Sequence, residues 1–135
     1  MSLPIAKIRG ITAELAASMK EMGFKTSDDL LAAGRTPAGR KELAAKLGAD
    51  GKDLLVLINH ADLARVKGIG EVFSNLLEEA GVDTVVELAG RRADNLLTKM
   101  AEVNSTVKTA KRLPVIGQVE GWVAQAKELG RGIEY

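Results

Sequence analysis

A duplication constrains this chain more than any other feature. The pentapeptide Val66-Lys67-Gly68-Ile69-Gly70 has an earlier counterpart, Ile8-Arg9-Gly10-Ile11-Thr12, 58 positions before it. At the same offset Ala6, Gly10, Ile11, Glu21, Gly23, Thr26 and Leu30 recur as Ala64, Gly68, Ile69, Glu79, Gly81, Thr84 and Leu88. Self-similarity at a fixed period marks a repeated supersecondary unit. The unit is read as two short helices joined by a tight glycine turn. The expected repeats are residues 1–60 and 61–135. No long Pro- or Ser-rich linker separates them, so they are expected to pack as one compact body.

Helix is the expected state throughout. Ala, Leu, Lys and Glu are abundant and β-branched runs are short. In the first half, Ser2 and Pro4 read as the start of a short helix near 3–8, and Met1-Ser2-Leu3 has the look of an expression scar. Thr12 caps a helix with Leu15, Met19 and Met22 on one face, and Gly23 stops it. Thr26 and Asp29 have capping-box spacing ahead of a short helix ending near Gly34. Thr36-Pro37 starts a helix running to Leu47, and Asp50 caps a fifth bearing Leu54, Leu55, Leu57 and Ile58. In the second half, Asp62 reads as the cap of a short helix to Val66. A helix with Val72, Phe73, Leu76 and Leu77 ends at Gly81. Thr84 and Glu87 form a full capping box. Helices follow at 92–102, 105–111 and 118–129, and Arg131 to Tyr135 is expected to be a loose tail.

The turn has a chemistry of its own. Successive backbone N–H groups at a Gly-rich turn, with the unpaired N–H groups and dipole of the next helix, suit a phosphate oxygen. Glycine permits close approach and positive φ. Lys7 matches Arg65 and Arg9 matches Lys67, so both turns keep two cations at equivalent positions. The expected phosphate contacts are therefore Lys7, Arg9, Gly10 and Ile11 in the first copy. In the second they are Arg65, Lys67, Gly68, Ile69 and Gly70. Two departures oppose this. Thr12 stands where a second glycine belongs, and Glu71, Glu78 and Glu79 follow the second turn.

The Lys-Gly-Ile-Gly turn and its following aliphatic helix resemble the helix-hairpin-helix motif. The segments Gly81-Val82-Asp83-Thr84-Val85-Val86-Glu87-Leu88 and Gly23-Phe24-Lys25-Thr26-Ser27-Asp28-Asp29-Leu30 are similar to a stretch found in two other places. These are the N-terminal domains of recombinases and the C-terminal domain of the alpha polypeptide of RNA polymerase. Taken whole, with Arg112-Leu113-Pro114, Gln118-Val119-Glu120 and Trp122 to Leu129, the chain resembles a bacterial family known only as a domain of unknown function. That resemblance implies an all-α fold of two tandem helix-hairpin-helix repeats with extra helices, and supplies no activity. The wider hairpin class implies contact with nucleic-acid backbone independent of base sequence, at the turn residues named above.

Composition narrows the rest. The chain has no Cys, which excludes disulfides and thiolate chemistry. The net charge is +1 and the pI about 8.0, below that of a dedicated nucleic-acid binder. No apolar run reaches membrane-spanning length and no charged-then-apolar leader is present, so a cytoplasmic address and no membrane partner are expected. His60, the single histidine, is a poor metal or catalytic signal beside Asp62. Trp122 reads as core, and Lys108, Lys111 and Arg112 as a solvated basic face. Asp83 and Lys99 are available in number only for glycosylase-like chemistry. The expectation is a non-enzymatic module without cofactor. Its partner is a DNA or RNA backbone or, alternatively, another protein or a second copy of itself.

Overall fold

The computed structural model describes residues 2–135, and they form an all-α body. The helices are α1 (Ala13–Glu21), α2 (Ser27–Gly34), α3 (Pro37–Leu47), α4 (Gly51–Leu63), α5 (Glu71–Glu79), α6 (Val85–Ala89), α7 (Ala93–Val107) and α8 (Ile116–Leu129). A single 3-10 turn, Ile5–Lys7, precedes them.

The duplication is visible bond by bond. Helices α1 and α5 begin and end 58 positions apart. The glycine turns are closed by Ile11 N–H to Ile8 carbonyl and Ile69 N–H to Val66 carbonyl, each at 3.2 Å. Gly23 and Gly81 end the two helices with φ of 91° and 92°. Behind them, Phe24 N–H reaches Met19 carbonyl at 2.9 Å and Val82 N–H reaches Leu77 carbonyl at 2.8 Å. These are the bonds of a left-handed helix stop, in which glycine avoids the Cβ penalty.

Helix α4 joins the repeats and serves both. Its Leu54, Leu57 and Ile58 lie in a first core with Ile5, Ile8, Met19 and Leu30. Its last residue, Leu63, starts a second core with Ile69, Leu76, Leu77, Leu88, Met100 and Trp122. Within each half, α2 packs on α4 and α6 packs on α8. Truncating one of these fully buried aliphatic side chains to Ala typically costs about 2–5 kcal/mol.

Six local expectations change. The N-terminal segment is a 3-10 turn headed by Pro4, and Ser2 does not cap a helix. Leu3 is buried, and its N–H donates to Ser27 Oγ at 2.8 Å, so it is wired into the fold; Met1 lies outside the described residues. Asp62 starts no helix, because α4 runs through it to Leu63. Residues 92–111 hold one helix, α7, where two were expected. No Gly or Pro interrupts 93–107, and the helix stops at Lys108, the one non-glycine residue with positive φ (53°) among those described. Asn104 then clamps the exit, accepting from Ala110 N–H at 2.9 Å and donating to Ala110 carbonyl at 3.0 Å.

The C-terminal residues are not a loose tail. Ile133 is buried in the first core, and Glu134 N–H donates to Arg35 carbonyl at 2.8 Å. The tail therefore straps the second repeat onto the first. The full capping box expected at Thr84 and Glu87 is only half formed, whereas the one at Thr26 and Asp29 is complete. Asp29 accepts Lys25 and Thr26 N–H groups at 2.8 and 3.1 Å, which hold its carboxyl below the ordinary Asp range. At α6 Thr84 Oγ1 accepts from Glu87 N–H at 3.3 Å, while the Glu87 carboxylate faces Arg91 at 3.9 Å.

Candidate functional site

The two glycine turns share a backbone and differ in surroundings. Gly10 and Gly68 have φ of 88° and 95°. Ile69 is fully buried and Ile11 half-buried, so both plug inward as their place between small residues demands. In the first copy Thr12 Oγ1 accepts from Leu15 N–H at 3.1 Å, which occupies one donor of the α1 N-terminus. In the second copy Gly70 heads α5, and no side chain caps its N-terminal N–H groups.

The cations of the first turn reach across to the second repeat. Arg9 Nη1 lies 3.3 Å from both Glu78 Oε1 and Glu79 Oε1, and donates to Asn75 carbonyl at 3.2 Å. Lys7 Nζ lies 4.0 Å from Glu71 Oε2. The acids that follow the second turn are thus the partners of the cations beside the first. The network extends inward at both ends. Glu78 Oε2 is 2.5 Å from Nε2 of His60, which is buried, and Thr109 Oγ1 donates to Glu79 at 2.5 Å. The other ring nitrogen of His60, Nδ1, is buried without a partner. Since Arg9 is two-fifths exposed, each of its ion pairs contributes no more than about 1 kcal/mol. They link the first turn to α5.

Arg65 also faces inward. It donates to Asp62 Oδ1 at 2.8 Å and to the carbonyls of Gly130 and Leu129 at 3.1 and 3.2 Å, fixing the end of α8. Asp62 is buried, and its other oxygen accepts from Val85 N–H at 2.9 Å, so it ties α4 to the start of α6. Lys67 is exposed, yet its backbone is paired on both sides by one amide. Its N–H donates to Gln125 Oε1 at 3.0 Å, and its carbonyl accepts from Gln125 Nε2 at 3.2 Å. A Cβ on Gly68 would stand 3.0 Å from Trp122 Nε1. Trp122 in turn packs on Phe73, with ring centroids 5.2 Å apart. Helix α8 therefore covers one side of the second turn.

The first turn opens onto a cavity of about 500 Å³ between α1, the end of α3 and the start of α4. Gly10 and Thr12 line it beside Leu15, Val56 and Leu57, and its charged groups are Glu14, Asp50 and Asp53. A carboxylate-lined space repels phosphate.

Of the nine residues singled out in sequence, Lys7, Arg9 and Arg65 are engaged within the chain. Gly10, Gly68 and the two isoleucines shape the turns. Lys67 and Gly70 stand at the open start of α5. Asp62, Gln125 and Trp122 escaped sequence reading as determinants of the turn. Gln125 lies 58 residues from the backbone it pairs with, and no local pattern signals such a contact.

The structure thus defines an all-α protein in which two glycine turns, 58 positions apart, each lead into a helix. The chain belongs to the family described as Domain of unknown function (DUF4332), which matches residues 9–129. It is also similar to the Ribosomal RNA large subunit methyltransferase E of Rhodopseudomonas palustris (strain BisB5), at 28% identity over 98 residues, 71% of this chain. The chain spans 42% of the length of that relative. No solved structure matches it.

Proposed function

We propose that this chain is a non-enzymatic helical module of the cytoplasm whose partner is another protein chain. The observation that carries this reading is the fate of the turn cations. Arg9 pairs with Glu78 and Glu79, Lys7 lies 4.0 Å from Glu71, Arg65 holds the end of α8, and the cavity beside the first turn carries carboxylates. A phosphate backbone meets Lys67 at the second turn, whereas at the first turn the exposed Lys7 and Arg9 already face carboxylates and the cavity beside them carries like charge. Exposed aliphatic side chains, Val56, Val107, Val115 and Ile116 among them, offer apolar contact instead.

One feature favours a second reading, contact with a nucleic-acid backbone in the manner of helix-hairpin-helix proteins. The α5 N-terminus is uncapped and Lys67 stands exposed beside it. The relative named as a ribosomal RNA methyltransferase is consistent with an RNA partner.

The two readings separate in a salt titration of binding to single- and double-stranded DNA and RNA, with Lys67→Glu beside the wild type. Arg65→Glu is unsuitable, because it sets a second carboxylate against buried Asp62. The protein-contact reading expects no saturable binding at about 50 mM salt and no effect of Lys67→Glu. Saturable binding that Lys67→Glu weakens about tenfold would replace it with the nucleic-acid reading.

A further inference from the structure

We propose that the partner is a second copy of this chain, bound as a two-fold dimer in which each copy sets its 107–116 segment into the other's acidic groove. The proposal rests on the protein-contact reading and names its partner.

Two surfaces of opposite charge remain after the internal ion pairs are formed. The first is the groove beside the first glycine turn, with an apolar floor of Leu15, Val56 and Leu57. Its rim carries Glu14 and Asp53, neither of which is in an ion pair among the described residues. Val56 on that floor is 45% exposed. No Lys or Arg lines this groove.

The second surface is the connection between α7 and α8. Val107, Val115 and Ile116 are 47%, 65% and 43% exposed there. They flank Lys108, Lys111 and Arg112, all exposed, and none of the three is in an ion pair among the described residues. Lys108 is held at a left-handed backbone, and Asn104 clamps the turn behind it. The segment is therefore a fixed basic ridge with aliphatic side chains, the chemical complement of the groove.

Their relative position selects a closed dimer. Thr109 in the ridge donates to Glu79, and Glu79 pairs with Arg9, whose chain neighbour Gly10 lines the groove. Ridge and groove therefore adjoin across one ion-paired chain. Adjoining complementary surfaces suit a two-fold axis, which joins ridge to groove twice and leaves neither free. Charge complementarity of this kind fixes partner choice and register.

Sedimentation velocity on the full chain at about 20 mM and about 500 mM salt tests the proposal, with two charge-reversed variants. One is Glu14→Lys/Asp53→Lys in the groove, the other Lys111→Glu/Arg112→Glu on the ridge. The wild type is expected to dimerise with concentration at low salt and to weaken at high salt. Each variant alone dimerises at least about tenfold more weakly, and an equimolar mixture of the two recovers the dimer. Recovery is the discriminating result, because misfolding cannot produce it. A dimer that persists undiminished in both variants, or two weakened variants whose mixture stays monomeric, overturns the proposed interface. A wild type that stays monomeric at low salt and binds no nucleic acid overturns the self-pairing alone. A monomeric wild type that binds nucleic acid through Lys67 overturns the protein-contact reading with it.

Discussion

Replacing Asp62 with Ala distinguishes two roles for one carboxylate by the size of the loss. An exposed N-cap, its role on local pattern, is worth about 1 kcal/mol. In the structure the side chain is buried, pairs with Arg65 at 2.8 Å and accepts Val85 N–H at 2.9 Å. Removing one partner of a buried pair typically costs about 3–5 kcal/mol. Arg65 is 19% exposed and keeps two carbonyl acceptors, which moves the loss toward the lower end. The stranded Val85 N–H is part of that cost, at about 1–3 kcal/mol on its own. The expected loss is about 3 kcal/mol, or about 10 °C in Tm for a domain of this size. Urea denaturation followed by far-UV circular dichroism gives the number. Asp62→Asn, which keeps an oxygen for Val85, should lose about half as much. A loss below about 1 kcal/mol for Asp62→Ala would refute the role of this carboxylate in tying α4 to α6.

Two further outcomes follow from the packing. Gly68→Ala should cost more than Gly10→Ala. Both pay about 1–2 kcal/mol for a left-handed backbone, but only Gly68 also pushes a Cβ to 3.0 Å from Trp122 Nε1, against 3.7 Å from Leu57 at Gly10. Trp122 is the single tryptophan, so its emission should shift in Gly68→Ala and stay unchanged in Gly10→Ala. Ile133→Ala, at a position that local pattern gives to a loose tail, should cost about 2–4 kcal/mol in urea denaturation; a loss within about 0.5 kcal/mol would return the tail to solvent.

The duplication, the glycine stops and the Thr caps were legible because each acts within a few residues. Gly23 and Gly81 carry their meaning in φ alone, and Thr26 and Thr84 in spacing to the next turn. Lys7, Arg9 and Arg65 were legible as cations at equivalent positions. Which groups they meet depended on residues outside the local pattern. For Lys7 and Arg9 these are acids of the other repeat, Glu71, Glu78 and Glu79; for Arg65 they are Asp62 and the carbonyls that end α8. Glu78 and Glu79 were readable as competitors for phosphate, and their actual partner, Arg9, lies in the other repeat.

The sequence by itself determined that this chain is helical and where its recurring glycine turns and stops fall, because helix propensity, capping and glycine conformation are local energies that need no partner. Only the tertiary structure decided what the repeated turns are free to do. The placing of α5 beside the first turn and of α8 beside the second gives Arg9 and Arg65 partners within the chain, sets the exposed Lys7 4.0 Å from Glu71, and leaves the Lys67 side chain outside the ion pairs of the described residues. Ion pairs and buried hydrogen bonds act through space at a few ångströms, and chain order does not encode which distant groups the fold brings that close.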